Sequence, residues 1–190
     1  MKVLIVEKDK IINNLDKIRE KSGGVPVIAV LKANAYGLDL RQMAELLREQ
    51  GIRRFAVTEP QDAVRLRDWG FNEEEILILR STSCAEDIKQ ILTACATATI
   101  GSYDAAVALN GLAEKDGVSC DVHIKVDTGM GRYGFEPSEL ERILSVYRFM
   151  TNLNVTGMYT HFPCAFRSRK KTLEQCNVLL DVAAKVRQAG

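Results

Sequence analysis

Short apolar runs alternate with amphipathic stretches along the whole chain. The first run, Val25-Pro26-Val27-Ile28-Ala29-Val30-Leu31, has the pattern of a strand buried on both faces, as in a parallel sheet. Phe55 to Val57, Ile76 to Leu79, Ala96 to Ile100, Cys120 to Val126 and Val155 to His161 continue the series. Between these runs the apolar positions recur at helical spacing. An opening helix fits Asp9 to Lys21, with Ile11, Ile12, Leu15 and Ile18 on one face and Gly23-Gly24 as its stop. Further helices fit Leu40 to Glu49, Pro60 to Trp69, Ala85 to Ala94, Tyr103 to Lys115, Pro137 to Phe149 and Leu173 to Gln188.

Six strand–helix units therefore follow the opening helix, each spaced at about the length a parallel crossover needs. Serial β–α repetition implies a parallel sheet, either an open doubly wound sheet or a barrel. No GxGxxG follows the first strand, so the dinucleotide signature of the open fold is missing. Polar residues gather instead at the C-terminal ends of the strands, where a barrel assembles its active site. The expectation is an α/β fold of the TIM-type (β/α) barrel kind with about six of the eight units, the chain stopping just after a helix.

Composition narrows the function classes. The 190 residues are 46% hydrophobic and suffice for one substantial core, so the prior is a single domain. Lys and Arg number 26 against 25 Asp and Glu, which offers no electrostatic reason to expect nucleic acid or a membrane surface as partner. No apolar run reaches the roughly 20 residues that span a bilayer. The start, Met1-Lys2-Val3-Leu4-Ile5-Val6-Glu7, breaks into charge too early for a signal peptide. Five widely spaced cysteines without a CxxC pair indicate neither a zinc site nor a disulfide framework. Cys84, Cys95, Cys120, Cys164 and Cys176 each read as a reduced core thiol of a cytoplasmic protein.

The candidate chemistry begins at Lys32, which closes the first apolar run and leads into Ala33-Asn34-Ala35-Tyr36-Gly37. Burial at the mouth of such a strand favours a free amine, the form a lysine needs to form an imine with an aldehyde cofactor. The bland reading is a lysine that snorkels from a strand end to water. The fifth run, Asp121-Val122-His123-Ile124-Lys125-Val126-Asp127, has a period of two. Val122, Ile124 and Val126 then face helices, while His123, Lys125 and Asp127 share the other face, which in a barrel points into the lumen. Ionisable groups on one buried face make a poor core and a good site. The glycines that follow, Gly129, Gly131 and Gly134, let the backbone around Arg132 approach a ligand. Arg132 is thus offered as a planar donor to an oxyanion or phenolate. His161 ends the sixth run at the same rim. Alone it reads as structural, as does His123, and Asp127 divides evenly between holding the loop and a role in the site. Tyr36 is either a packed aromatic or a phosphate ligand.

Taken together these segments resemble a known family. Ala29-Val30-Leu31-Lys32-Ala33-Asn34-Ala35-Tyr36-Gly37 looks like the cofactor-lysine motif of the alanine racemases, the fold-type III pyridoxal-phosphate enzymes. His123-Ile124-Lys125-Val126-Asp127-Thr128-Gly129-Met130-Gly131-Arg132 resembles the family's second motif, and Gly157-Met158-Tyr159-Thr160-His161-Phe162 its third. The resemblance covers essentially the whole chain, residues 1–190, as the family's N-terminal barrel domain.

The resemblance implies that Lys32 carries pyridoxal 5'-phosphate and, once displaced by substrate, acts as the base for one antipode of the amino acid. Tyr36 would help hold the phosphate, Arg132 would donate to the phenolic oxygen, and His161 would sit near the cofactor ring. Lys125 matches a lysine that in many members is carbamylated and orients that arginine. The implied reaction interconverts L- and D-alanine by removing the Cα proton and returning it on the opposite face. A small amino acid is the implied substrate and a homodimer the implied assembly. Two departures stand out. Leu38-Asp39 replaces the family's usual His-Gly or Leu-Gly, and Asp39 is unwelcome beside a phosphate. The last two barrel strands and the C-terminal β-domain, which supplies an opposing tyrosine base, have no counterpart. The chain thus reads as an incomplete racemase of low or no activity. A pyridoxal-phosphate homeostasis module of the same fold and a non-catalytic remnant are the alternatives.

Overall fold

A computed structural model describes residues 3–189; Met1, Lys2 and Gly190, at the two ends of the runs read above, lie outside the described residues. The chain begins with helix α1 (Lys8–Ser22), stopped by Gly23 at φ 61°, a left-handed cap that glycine adopts without penalty. Strand β1 (Ala29–Val30) and a single turn, α2 (Lys32–Tyr36), follow. Four strand–helix pairs come next: α3 (Leu40–Glu49) and β2 (Arg54–Val57), α4 (Pro60–Asp68) and β3 (Glu75–Ile78), α5 (Ala85–Thr93) and β4 (Thr97–Ile100), α6 (Tyr103–Asp116) and β5 (Cys120–Lys125). A short 3-10 turn (Pro137–Glu139), α7 (Leu140–Phe149), β6 (Leu153–Tyr159) and α8 (Arg169–Ala189) complete the order.

The sheet settles the choice of architecture. Its six strands lie in chain order, β1-β2-β3-β4-β5-β6, and each pairs in parallel with the next. A doubly wound sheet reverses its strand order at a switch point. Here there is no reversal, so the sheet is singly wound, as in a (β/α) barrel with six of its eight units.

The core fills the space between the outer sheet face and the helices. Phe55, Val57, Ile76, Ile78 and Ile124 from the strands pack with Leu66, Ile88, Ile91, Leu109 and Ile143 from the helices, all within 2% of full burial. The other sheet face mixes apolar Ala56 and Leu77 with polar Thr97, Thr99 and Lys125, each at most 5% exposed. In β5 the expected alternation holds, with Val122, Ile124 and Val126 fully buried against the helices.

Two expectations about strand ends need correction. The run from Val25 to Leu31 is not a long, doubly buried strand. Only Ala29 and Val30 pair, while Val25 is 65% and Val30 38% exposed. The reason is position: β1 is a terminal strand with a neighbour on one side only. The sixth strand starts at Leu153 and ends at Tyr159, two residues before His161. A register shift between Val122 and His123 pairs Val122 with Val155 but His123 with Gly157. This bulge re-aims β6, setting Gly157 opposite His123 and Tyr159 opposite Lys125. Of the five thiols expected in the core only Cys120 is buried; Cys84 and Cys95 are exposed and Cys164 and Cys176 half-buried, because these four lie on helices, helix ends and loops rather than on a strand. Among the described residues no helix is long and apolar enough to cross a membrane.

Candidate active site

Lys32 leaves the sheet through an unusual turn. Ala33, Asn34, Ala35 and Tyr36 all have φ between 53° and 55°, so the backbone winds left-handed for one full turn. Each non-glycine residue held this way costs about 1–2 kcal/mol, and such strain persists only where surrounding contacts dictate it. The amide of Ala35 donates to the Leu31 carbonyl at 2.9 Å, and Asn34 Oδ1 accepts the Leu40 amide at 2.8 Å. Leu31, Ala35 and Leu40 anchor the turn in the core at 2–3% exposure. The turn leaves Lys32 half-buried and Tyr36 exposed, with the ammonium 5.9 Å from the Tyr36 ring centre. Asp39, suspect beside a phosphate, instead caps α3 by accepting the Gln42 amide at 2.9 Å.

Lys125 occupies the lumen at the end of β5, only 2% exposed. Its Nζ donates to the carbonyls of Val126 at 3.0 Å and Tyr133 at 3.3 Å, and it lies 5.1 Å and 5.9 Å from the ring centres of Tyr133 and Tyr159. Those rings are themselves pinned. The Tyr133 hydroxyl donates to the Leu79 carbonyl at 2.6 Å, and the Tyr159 hydroxyl meets Thr99 Oγ1 at 2.9 Å. Burial draws the Lys125 pKa below that of an ordinary lysine; Asp127 opposes this and the Arg132 charge adds to it. The amine is therefore held closer to its neutral, reactive form.

Arg132 rides on the loop after β5, its side chain exposed and its guanidinium 5.3 Å from the Tyr133 ring centre. Asp127 shapes that loop. Its Oδ1 accepts the amides of Gly129 at 2.9 Å and Met130 at 2.7 Å, and its Oδ2 accepts the amide of Arg132 at 2.9 Å. Burial works against this carboxylate, but the three amides and the Lys125 charge outweigh it and hold its pKa below the usual value. The carboxylate of Asp127 is thus engaged by backbone donors of the loop, with the Lys125 charge also acting on it.

His161 is exposed at the same rim. Partial burial lowers its pKa, and the charges of Arg132, Lys125 and Lys32 lower it further. Lys32, Lys125 and Arg132 are thus close enough for their charges to be felt at His161. His123 stands apart, lower in β5, with its Nε2 3.8 Å from Glu75 Oε1. Burial lowers its pKa against the pull of Glu75, and it belongs to the floor of the lumen. Tyr133, Tyr159 and the Leu79 carbonyl were missed by sequence reading; the only available signal was the aromatic next to Arg132.

Comparison with known proteins identifies this arrangement. Residues 6–190 match the family model described as alanine racemase, N-terminal domain. The chain belongs to that family. The alanine racemase of Methanococcus maripaludis is 36% identical over 168 residues, covering 87% of this chain and 44% of the relative. Alanine racemase 1 of Clostridium acetobutylicum is 34% identical, covering 87% of this chain and 43% of the relative. Among solved structures, the alanine racemase of Bacillus anthracis with bound L-Ala-P superposes with a TM-score of 0.86 at 31% identity, covering 97% of this chain and 48% of the other. The histidine racemase of Leuconostoc mesenteroides superposes with a TM-score of 0.82 at 26% identity, covering 90% and 46%. The chain spans less than half the length of these alanine racemases. Family membership implies pyridoxal 5'-phosphate as cofactor, and the donor set fits it: an amine at Lys32, a guanidinium at Arg132 and an imidazole at His161 follow the strand ends on one rim.

Proposed function

We propose that this chain is the barrel part of a pyridoxal-phosphate-dependent racemase acting on alanine or another small amino acid. The observation that carries the reading is the placement of Lys32, Arg132 and His161 just past the C-terminal ends of β1, β5 and β6, with Lys125 closing β5. When bound, the cofactor supplies an electron sink for cleavage of the Cα–H bond. Lys32, at the strand end, would hold the cofactor through its amine and would be the group to move the Cα proton on one face of the substrate. Arg132 would be the donor for the phenolic oxygen, Tyr36 a ligand for the phosphate, and His161 a neighbour of the ring. Lys125 supports Arg132, and its buried amine, its pKa drawn down, suits the carbamylation common in the family. Substrate choice between alanine and its analogues is open within this reading, since a histidine racemase shares the scaffold.

Five free thiols and balanced charge support a cytoplasmic protein whose partner is a small amino acid rather than nucleic acid. The terminal strands β1 and β6 support self-association of this chain. Because the chain matches under half of its relatives' length, the isolated chain is expected to bind the cofactor weakly and to racemise alanine slowly or not at all. The test is titration with pyridoxal phosphate, borohydride reduction and peptide mapping. Label on Lys32 supports the reading; label elsewhere, or none at saturating cofactor, overturns it.

A further inference from the structure

Helix α8 buries two residues deeply, Val182 and the polar Gln175. Gln175 is 8% exposed, and a buried amide is costly unless it finds partners. Its Nε2 lies 3.5 Å from Thr128 Oγ1, and a Cβ added to Gly129 would stand 3.7 Å from the same nitrogen. The amide is therefore lodged against the first residues of the loop that Asp127 gathers and that carries Arg132. Thr128 is itself 9% exposed, and its Oγ1 meets Thr160 Oγ1 at 2.9 Å. Thr160 directly precedes His161.

The donor inventory gives this chain a direction. An amide NH₂ only donates, so Thr128 accepts from Gln175 and keeps its own proton for Thr160. A largely buried hydrogen-bond chain thus runs from α8 to the start of the arginine loop and on to the strand end that carries the histidine. We propose that Gln175, acting through Thr128 and Thr160, is a positioning residue that fixes the Arg132 loop relative to His161. Without the clasp nothing else described on α8 holds the loop by a hydrogen bond. Its functional meaning rests on the roles proposed above for Arg132 and His161, but the clasp itself is tested without cofactor.

The sequence has two histidines, His123 and His161, so their imidazole protons can be followed individually by NMR across pH. His161 titrates under the charges of Arg132, Lys125 and Lys32, while His123, on the lumen floor beside Glu75, serves as the internal control of folding. In Gln175→Leu and in the isosteric Thr128→Val, the His161 titration moves upward toward the ordinary value of about 6.5, by a few tenths of a pH unit or more, while His123 keeps its own. Thr128→Ser retains the hydroxyl and keeps the parent titration. A His161 titration unchanged in Thr128→Val, or moved equally in Thr128→Ser, overturns the proposal. If Gln175→Leu unfolds, which His123 reports, the two Thr128 variants decide. Lys32 labelling is a separate readout, so failure of the clasp and failure of the cofactor reading are told apart.

Discussion

Asp127 Oδ2 accepts the backbone amide of Arg132 at 2.9 Å, closing a five-residue loop onto a carboxylate that also holds Gly129 and Met130. The geometry separates two jobs in adjacent positions: a carboxylate that shapes the backbone and a guanidinium left free for a ligand. Asp127→Asn keeps the size but loses the charge. It should destabilise the fold by about 1–2 kcal/mol in urea denaturation at pH 7. The native pKa of Asp127 lies below its unfolded value of about 3.9. Its contribution is therefore complete above that unfolded value and lost as pH falls through the native one. The gap between parent and variant should narrow as acid is added; a gap constant down to pH 2 would show that the charge contributes nothing.

Gly157 faces His123 so closely that an added Cβ would stand 2.7 Å from Nε2 and 2.8 Å from Cδ2. The bulge in β6 creates this contact, and glycine is the residue that fits it. Gly157→Ala should cost about 1–3 kcal/mol through overpacking. The double variant with His123→Ala removes the obstructing ring, so the two changes should couple and part of the loss should return. Strict additivity of the two costs would show that the ring is not the obstacle.

Lys125 is nearly inaccessible, and its native pKa lies below the unfolded value of about 10.4 because of burial. Between those two values the unfolded chain holds a proton that the native protein has lost, so stability rises with pH across that window. Lys125→Met removes this dependence. Measured side by side, the parent should gain on the variant as pH climbs toward about 10.4; a flat difference, or one of the opposite slope, would refute the desolvated ammonium.

The terminal strands present unpaired backbone groups, a template for another copy. Exposed apolar residues near the N-terminus, Val3 and Leu4 at 68% and Ile5 at 81%, add to the tendency. Light scattering of the isolated chain should report concentration-dependent association in the micromolar range, and a monomer at every concentration would count against it.

Much of this was legible in the chain, for identifiable reasons. The strands with two neighbours fell where the apolar runs lie, because burial on both faces leaves a continuous signature. The alternation in β5 puts Lys125 in the lumen, since a period of two has only one solution once Val122 and Ile124 face the helices. The failures share a different cause. The edge strand β1 looked central because apolar composition does not say how many neighbours a strand has. The bulge after Val122 has one sign in the chain, the isolated Gly157 beside Thr156, which also fits a close backbone approach and so does not single out a bulge. Gln175 escaped notice because its partners are Thr128, 47 residues away, and through it Thr160; such contacts leave no local pattern. The left-handed turn after Lys32 had two weak signs, Asn34 and Gly37, and two alanines that argue for an ordinary helix.

That last conflict yields a prediction in which sign alone decides. In a right-handed helix Ala33→Gly would destabilise by about 0.5–1 kcal/mol, because glycine loses more conformational freedom on folding. Ala33 is exposed and sits at φ 53°, where an L side chain costs about 1–2 kcal/mol and glycine pays nothing. Relief of that strain exceeds the entropy loss, so Ala33→Gly should stabilise the chain slightly, while the β-branched Ala33→Val should destabilise it by more than about 1 kcal/mol. Urea midpoints of the two variants against the parent measure both. The stabilised glycine variant should also bind pyridoxal phosphate less well, because the strained turn holds Lys32 and Tyr36 in place and a freer backbone must be reordered on binding. A glycine variant less stable than the parent would mean that the turn is right-handed in solution.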